Sequence, residues 1–199
     1  IEIVRQNVNG GAGAYDWWTE PGNDTSLNRD TYNWANAAYE GSQFAELNCE
    51  AAGALYQDVL TIPGTSLNYW LAHRARGTNA DSTQCDTMYL VIMPKSAAVD
   101  GNGYELTTQT QLEEKLTKLG CTLNGTYNTE DKDVLYDQNG IKVLRVTSTN
   151  QRWQYINALN GYTPTSSLTR FFFMSGKTAS KDNTVGNFLD QVGFSQELP

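Results

Sequence analysis

The stretch Gly41-Ser-Gln-Phe-Ala-Glu-Leu-Asn48, with Leu55-Tyr-Gln-Asp-Val59, Pro63-Gly64 and His73-Arg-Ala-Arg76 behind it, decides the fold class of this chain. It is a series of short runs, each stopped by Gly, Pro, Asn or Asp, which is how antiparallel strands joined by tight connections read. Alternation places Phe44, Glu46 and Asn48 on one face of the first run and Ala45 and Leu47 on the other. Working outward, this run spans about 42–48 and further strands are expected at about 54–60, 66–76, 86–93, 133–136, 141–148, 152–157, 167–175 and 187–195. Met88-Tyr-Leu-Val-Ile-Met93, closed by Pro94, and Leu168-Thr-Arg-Phe-Phe-Phe-Met-Ser175 are apolar enough to be central strands.

One segment changes period. Thr110-Gln-Leu-Glu113 reads as a capping box, Leu112, Leu116 and Leu119 share a helical face, and Gly120 stands where a C-terminal cap belongs. The expected fold is therefore all-β: a two-sheet antiparallel β-sandwich of jelly-roll type. One α-helix, about 110–119, is inserted over one side of it. A chain of 199 residues is long enough to form this as a single domain, with a core that needs no disulfide or metal staple.

Composition narrows the function classes. Net charge is -8 and only 18% of residues are charged, a balance that argues against nucleic acid or anionic membrane as partners. No apolar run approaches the ~20 residues that span a bilayer. The chain opens directly on Ile1-Glu-Ile-Val4, without an initiator Met or a signal peptide, so it reads as a mature or excised domain, monomeric within a longer chain. The three cysteines stand at 49, 85 and 121 and there is a single His. That set does not make a structural zinc site. An odd count leaves at least one thiol unbridged within the chain, and Cys85–Cys121 is a candidate bridge.

Three groups of residues together resemble the jelly-roll domains of bacterial extracellular proteins, of the galactose-binding-like and carbohydrate-binding-module kind. The first is Gly41-x-Gln-Phe-Ala-Glu-Leu-Asn48 with Leu55-Tyr-Gln-Asp-Val59. The second is Pro63-Gly64, then His73-Arg-x-Arg76 and Asp86-Thr-Met88. The third runs from Trp153 through Gly161-Tyr-Thr163 and Leu168-Thr-Arg-Phe171 to Gly186-Asn-Phe-Leu-Asp190 and Val192-x-Phe194. The resemblance implies a non-catalytic module, secreted or displayed at a bacterial cell surface, that recognises an extracellular glycan. It also implies a structural Ca²⁺ between the first and last strands, for which Asp190 with Asn7 or Asn9 are the corresponding candidates.

The residues themselves offer two candidate sites. The long segment 14–40 is crowded with Tyr15, Trp17, Trp18, Tyr32, Trp34 and Tyr39. Trp17, Trp18 and Trp34 can supply an apolar face to a sugar ring, while Asp16, Arg29, Asn33 and Asn36 can meet its hydroxyls. Packing against the ends of the sandwich is the plainer use of the same tryptophans. The second group is Glu46, His73, Arg74 and Arg76, which can bind a polar ligand on the sheet or, the reading we prefer, form an ion-pair network that fixes it. Two further readings remain: a protein-binding adhesin or spacer, and a glycoside hydrolase. The hydrolase needs a second carboxylate beside Glu46, with Asp58 and Asp86 as candidates.

Overall fold

The computed structural model describes residues 2–4, 17–19, 38–40, 43–48, 52–76, 85–123, 129–179, 181 and 186–196. Eleven strands and one helix are named among them. The strands are β1 (Glu2–Val4), β2 (Trp17–Thr19), β3 (Gln43–Glu46), β4 (Ala54–Leu60), β5 (Leu67–Arg74), β6 (Cys85–Pro94), β7 (Asp131–Gln138), β8 (Ile141–Thr149), β9 (Gln154–Tyr162), β10 (Leu168–Ser175) and β11 (Phe188–Gln196), and the helix is α1 (Gln109–Lys118). A six-stranded sheet has the order β1-β4-β10-β6-β8-β7 and a five-stranded sheet the order β2-β3-β11-β5-β9. Every pairing is antiparallel.

The pairing pattern is that of a rolled hairpin. β3 pairs with β11, β4 with β10, β5 with β9 and β6 with β8, so the first four of these strands meet the last four in reverse order. Successive strands then fall alternately into the two sheets, which is the jelly-roll arrangement expected from the strand-and-turn rhythm. β7 sits at the tip of the hairpin, and β1 and β2 extend the two edges.

Inward residues from both sheets form the main core, including Leu47, Leu67, Leu71, Met88, Leu90, Ile92, Leu144, Val146, Phe171 and Phe173. The six-stranded sheet is covered on its outer face as well. There Tyr89, Val91, Met93, Ile141, Val143, Phe172 and Met174 pack under Ala98, Leu106, Leu112, Leu116 and Cys121. Burial on both faces is why β6 and the end of β10 read as continuous apolar runs instead of alternating ones.

The helix begins a little earlier than its sequence signals suggest. Thr108 is the N-cap, its hydroxyl accepts from Gln111 N, and the Gln111 carboxamide accepts from Thr108 N, so the capping box is Thr108–Gln111 and not Thr110–Glu113. Glutamine serves at the third position as glutamate does. At the other end Gly120 takes φ +87. Gly120 N donates to Thr117 O and Cys121 N to Leu116 O, a Schellman ending that only a residue at ease in the left-handed region closes without strain. Cys121 carries a free, buried thiol, so the candidate Cys85–Cys121 bridge is not formed. Cys49 lies outside the described residues.

Candidate functional site on the open sheet

With the six-stranded sheet roofed by α1 and its flanking loops, the outer face of the five-stranded sheet is the other broad surface of the sandwich, and among the described residues it carries exposed aromatic and polar side chains. On β5, Leu67, Tyr69 and Leu71 go to the core, so Asn68, Trp70, Ala72 and Arg74 face outward. On β9, Ile156 is in the core while Tyr155 and Asn157 are exposed. Register places Trp70 between Asn157 of β9 and Gly193 of β11, and Ala72 between Tyr155 and Asp190. A Cβ built on Gly193 would lie 2.2 Å from Trp70 Cε2, so the indole rests directly on the glycine.

A segment from the end of the aromatic-rich stretch completes this face. Asp190 Oδ2 accepts from Tyr39 N at 2.6 Å and from Glu40 N at 3.1 Å, and Gln191 Nε2 donates to Glu40 Oε2 at 2.6 Å. Held this way, the Tyr39 ring lies parallel to Tyr155, with centroids 5.6 Å apart and planes 4° from parallel. It meets Trp153 edge-on at 6.4 Å. Trp153 in turn packs with Phe44 and Phe188, which are buried. Tyr39 and Tyr155 stay 42% and 45% exposed. Two large rings left that open, on a base of buried ones, form a stacking surface with a rigid support.

The four polar residues of the second expected site do not form one network. Glu46 and Arg76 are an ion pair at 2.8 Å, and Glu46 Oε1 also accepts from Gly186 N at 2.8 Å. Burial raises the Glu46 pKa above the ordinary carboxylate value, with the Arg76 charge opposing it. Arg74 donates through Nε and Nη2 to Asn150 O. His73 is odd-numbered on β5 and therefore points the other way, fully buried between the sheets, with Ser148 at 2.7 Å and Asn187 at 2.9 Å. As a ligand-binding residue on the sheet face His73 is corrected: a strand presents neighbours to opposite sides. Glu46 is likewise buried at 8% exposure in its ion pair.

Of the carboxylates considered as partners for Glu46, Asp86 lies near enough to raise its pKa and Asp58 does not. Asp86 is buried and accepts from the backbone N–H groups of Arg76, Ala179 and Asn187. Asp58 lies on the other sheet, bidentate to Arg170 at 2.6 and 2.8 Å and 2.8 Å from Lys95. Hydrogen bonding from Arg170 holds its carboxyl below the usual range.

Asp16, Arg29, Asn33, Trp34 and Asn36 lie outside the described residues, as do Asn7 and Asn9. Trp17 and Trp18 belong to β2, where their Cα partners are Ala45 and Phe44. Asp190, the described member of the expected calcium set, spends its oxygens on three backbone donors, Tyr39 N, Glu40 N and Gln191 N. Among the described residues no group of three or more His, Cys, Asp or Glu side chains could hold a metal ion. Through Asp190 the segment carrying Tyr39 and Glu40 is clamped to β11.

Trp70, Tyr155 and Asn157 were not among the expected site residues, although their signal was present. Alternation in Leu67-Asn-Tyr-Trp-Leu-Ala-His-Arg74 groups Trp70 with Asn68 and Arg74, and alternation in Gln154-Tyr-Ile-Asn157 groups Tyr155 with Asn157. An aromatic phased with polar neighbours on a strand faces away from the core, and here Tyr155 is exposed and Trp70 half-buried.

No family model and no curated protein matches the chain. Several solved structures are similar to it. One is TmCBM61 in complex with β-1,4-galactotriose, 11% identical, covering 83% of this chain and 78% of that one, with a TM-score of 0.43. Another is family 16 carbohydrate-binding module 2, 18% identical, covering 80% of each chain, with a TM-score of 0.38. A third is the CBM22-1 xylan-binding domain of Paenibacillus barcinonensis Xyn10C, 15% identical, covering 80% of this chain and 75% of that one, with a TM-score of 0.39.

Proposed function

We propose that this domain is a non-catalytic binding module for an extracellular glycan, and that it binds on the outer face of the five-stranded sheet. The observation that carries the reading is the exposed, parallel pair Tyr39–Tyr155 backed by Trp153. The C–H face of a sugar ring is apolar and stacks on such a surface, while its rim of hydroxyls needs amides and carboxylates. Asn157, exposed beside Tyr155, and Glu40, exposed beside Tyr39, stand where that rim would lie. The aromatic-rich segment 14–40 keeps its part in this reading, since it delivers Tyr39 to the face and its Trp17 and Trp18 run in β2 of the same sheet.

Binding of this kind is recognition without bond making, and its affinity is modest unless tandem copies in a longer chain add avidity. Secretion or surface display fits that role, and no described helix is long and apolar enough to cross a membrane. The test is affinity electrophoresis of the purified protein through gels containing soluble polysaccharides. Retardation by at least one neutral polysaccharide, abolished in Tyr155→Ala, supports the reading. A folded protein that no polysaccharide retards refutes it and favours a protein-binding adhesin or spacer.

A further inference from the structure

β11 carries one residue too many for its partner. Asp190 pairs with Ala72 and Gly193 with Trp70, so three steps along β11 answer two along β5. This is a β-bulge, and Gln191 within it takes φ +46, a conformation that costs a non-glycine residue about 1–2 kcal/mol. The extra residue reverses the phase of alternation. Before it, Phe188 and Asp190 face outward. After it Gly193 and Ser195 face outward, and Phe194 turns into the core, 4.0 Å from Phe171 between ring centroids. Without the bulge Val192 would stand opposite Trp70, where the glycine now is, and Phe194 would face outward opposite Asn68.

Both ends of the bulge act on the aromatic face. Asp190 catches Tyr39 N and Glu40 N and so sets Tyr39 against Tyr155. Gly193 removes the Cβ that would collide with the indole and so lets Trp70 lie down on the sheet. Trp70 is the direct partner of Asn157 and therefore a diagonal neighbour of Tyr155, a separation of about 7–8 Å. The two rings thus stand on adjacent strands, each next to Asn157. Strain kept at such a place is explained when it serves a site.

Resting on the glycan reading above, we propose that Asp190 and Gly193 are the positioning residues of this site. Through them the bulge creates two stacking stations, Tyr39–Tyr155 and Trp70, with Asn157 between. The face then takes consecutive rings of an extended, uncharged glycan chain, and not a single terminal sugar. Glu40 and Asp190 beside the first station disfavour an anionic chain.

The experiment is calorimetric titration with oligosaccharide ladders, from mono- to hexasaccharide, of xylan, galactan, glucan and mannan, together with polygalacturonate. The expected result is affinity that rises with chain length, with polygalacturonate binding more weakly than the neutral chains. Trp70→Ala and Gly193→Ala should each cost about tenfold with long ligands and far less with the shortest one that binds. Gly193→Ala should have no further effect in a Trp70→Ala background, because it acts only through that ring. Asp190→Ala should likewise add nothing to Tyr39→Ala. A monosaccharide bound as tightly as the hexasaccharide, or a Gly193→Ala loss that persists without Trp70, overturns the proposal while the glycan reading stands. Trp70→Ala creates no clash, so an unaltered length dependence in that variant also overturns it. Silence across every ladder overturns both.

Discussion

His73 Nε2 lies 2.9 Å from Asn187 Oδ1, in the middle of a buried chain of side-chain hydrogen bonds between the two sheets. Asn187 Nδ2 donates to Asn48 Oδ1, His73 Nδ1 meets Ser148 Oγ, and Ser148 Oγ is 2.7 Å from the Gln154 carboxamide. Since Asn187 Oδ1 only accepts, Nε2 carries a proton. A neutral imidazole then accepts the Ser148 O–H at Nδ1, an arrangement that needs the Gln154 amide rotated from the orientation of the structure, in which Ser148 Oγ donates to Gln154 Oε1. A charged imidazole reverses that half of the chain, with Ser148 donating to the Gln154 oxygen. Burial decides for the neutral form by pushing the His73 pKa down to about 4.

That depression makes stability depend on pH. The unfolded imidazole binds its proton near 6.5 and the folded one only near 4, so stability from this group is complete above 6.5 and drains away as pH falls toward 4. The difference corresponds to roughly 3 kcal/mol. Glu46 and Asp86, whose pKa values burial raises, act with the opposite sign and gain as pH falls through the carboxylate range. Urea unfolding at neutral pH and near pH 4 should therefore show a loss in the native protein that is several-fold smaller in His73→Gln. Equal losses in both would remove His73 as the cause.

Arg76→Ala should destabilise more than Glu46→Gln. The first leaves a carboxylate that is 6% exposed without its counter-charge, at a cost of about 2–4 kcal/mol, whereas the second removes the charge that needed pairing. Chemical denaturation of the two variants settles the order. In the same Glu46→Gln protein, hydrolysis of chromogenic glycosides should be no different from native.

Arg170 is 1% exposed, with Asp58 and Glu105 on its guanidinium and the Tyr56 ring 4.1 Å beneath it. Asp58→Ala should cost about 2–4 kcal/mol because it removes the bidentate partner and leaves that cation with Glu105, while Arg170→Met, which replaces it with apolar volume, should cost less. The lowered Asp58 pKa means its contribution is present above 3.8 and lost as pH falls through the folded value. An Arg170→Met protein less stable than Asp58→Ala contradicts this.

Phe172→Ala tests the roof over the six-stranded sheet. The ring is fully buried beneath the α1 cover, and its loss should cost about 3–5 kcal/mol while leaving ligand binding on the opposite face unchanged. A weakened ligand would show that the roof takes part in recognition.

Calcium is tested by thermal melts with Ca²⁺ and with EDTA. Because Asp190 already accepts three backbone N–H groups, we expect no change in melting temperature. A calcium-dependent rise that Asp190→Asn abolishes would place the expected metal at Asp190.

Local pattern by itself determined the strands β3 to β11, the helix and the sandwich, but not β2, which falls within the aromatic-rich segment 14–40. Apolar alternation and turn residues are short-range signals, and the doubly apolar runs Met88–Met93 and Phe171–Met174 declared a sheet covered on both sides. Local chemistry also determined that α1 ends at Gly120, because a left-handed cap requires that residue. What tertiary structure decided is which residues meet. Glu46 found Arg76 but not His73, since strand phase sends His73 inward. The aromatic face joins residues 39, 70, 153, 155 and 193, from three strands and two loop segments that only sheet order brings together. Its phase hangs on one extra residue in β11, and such a bulge is visible only against the partner strand that defines the register.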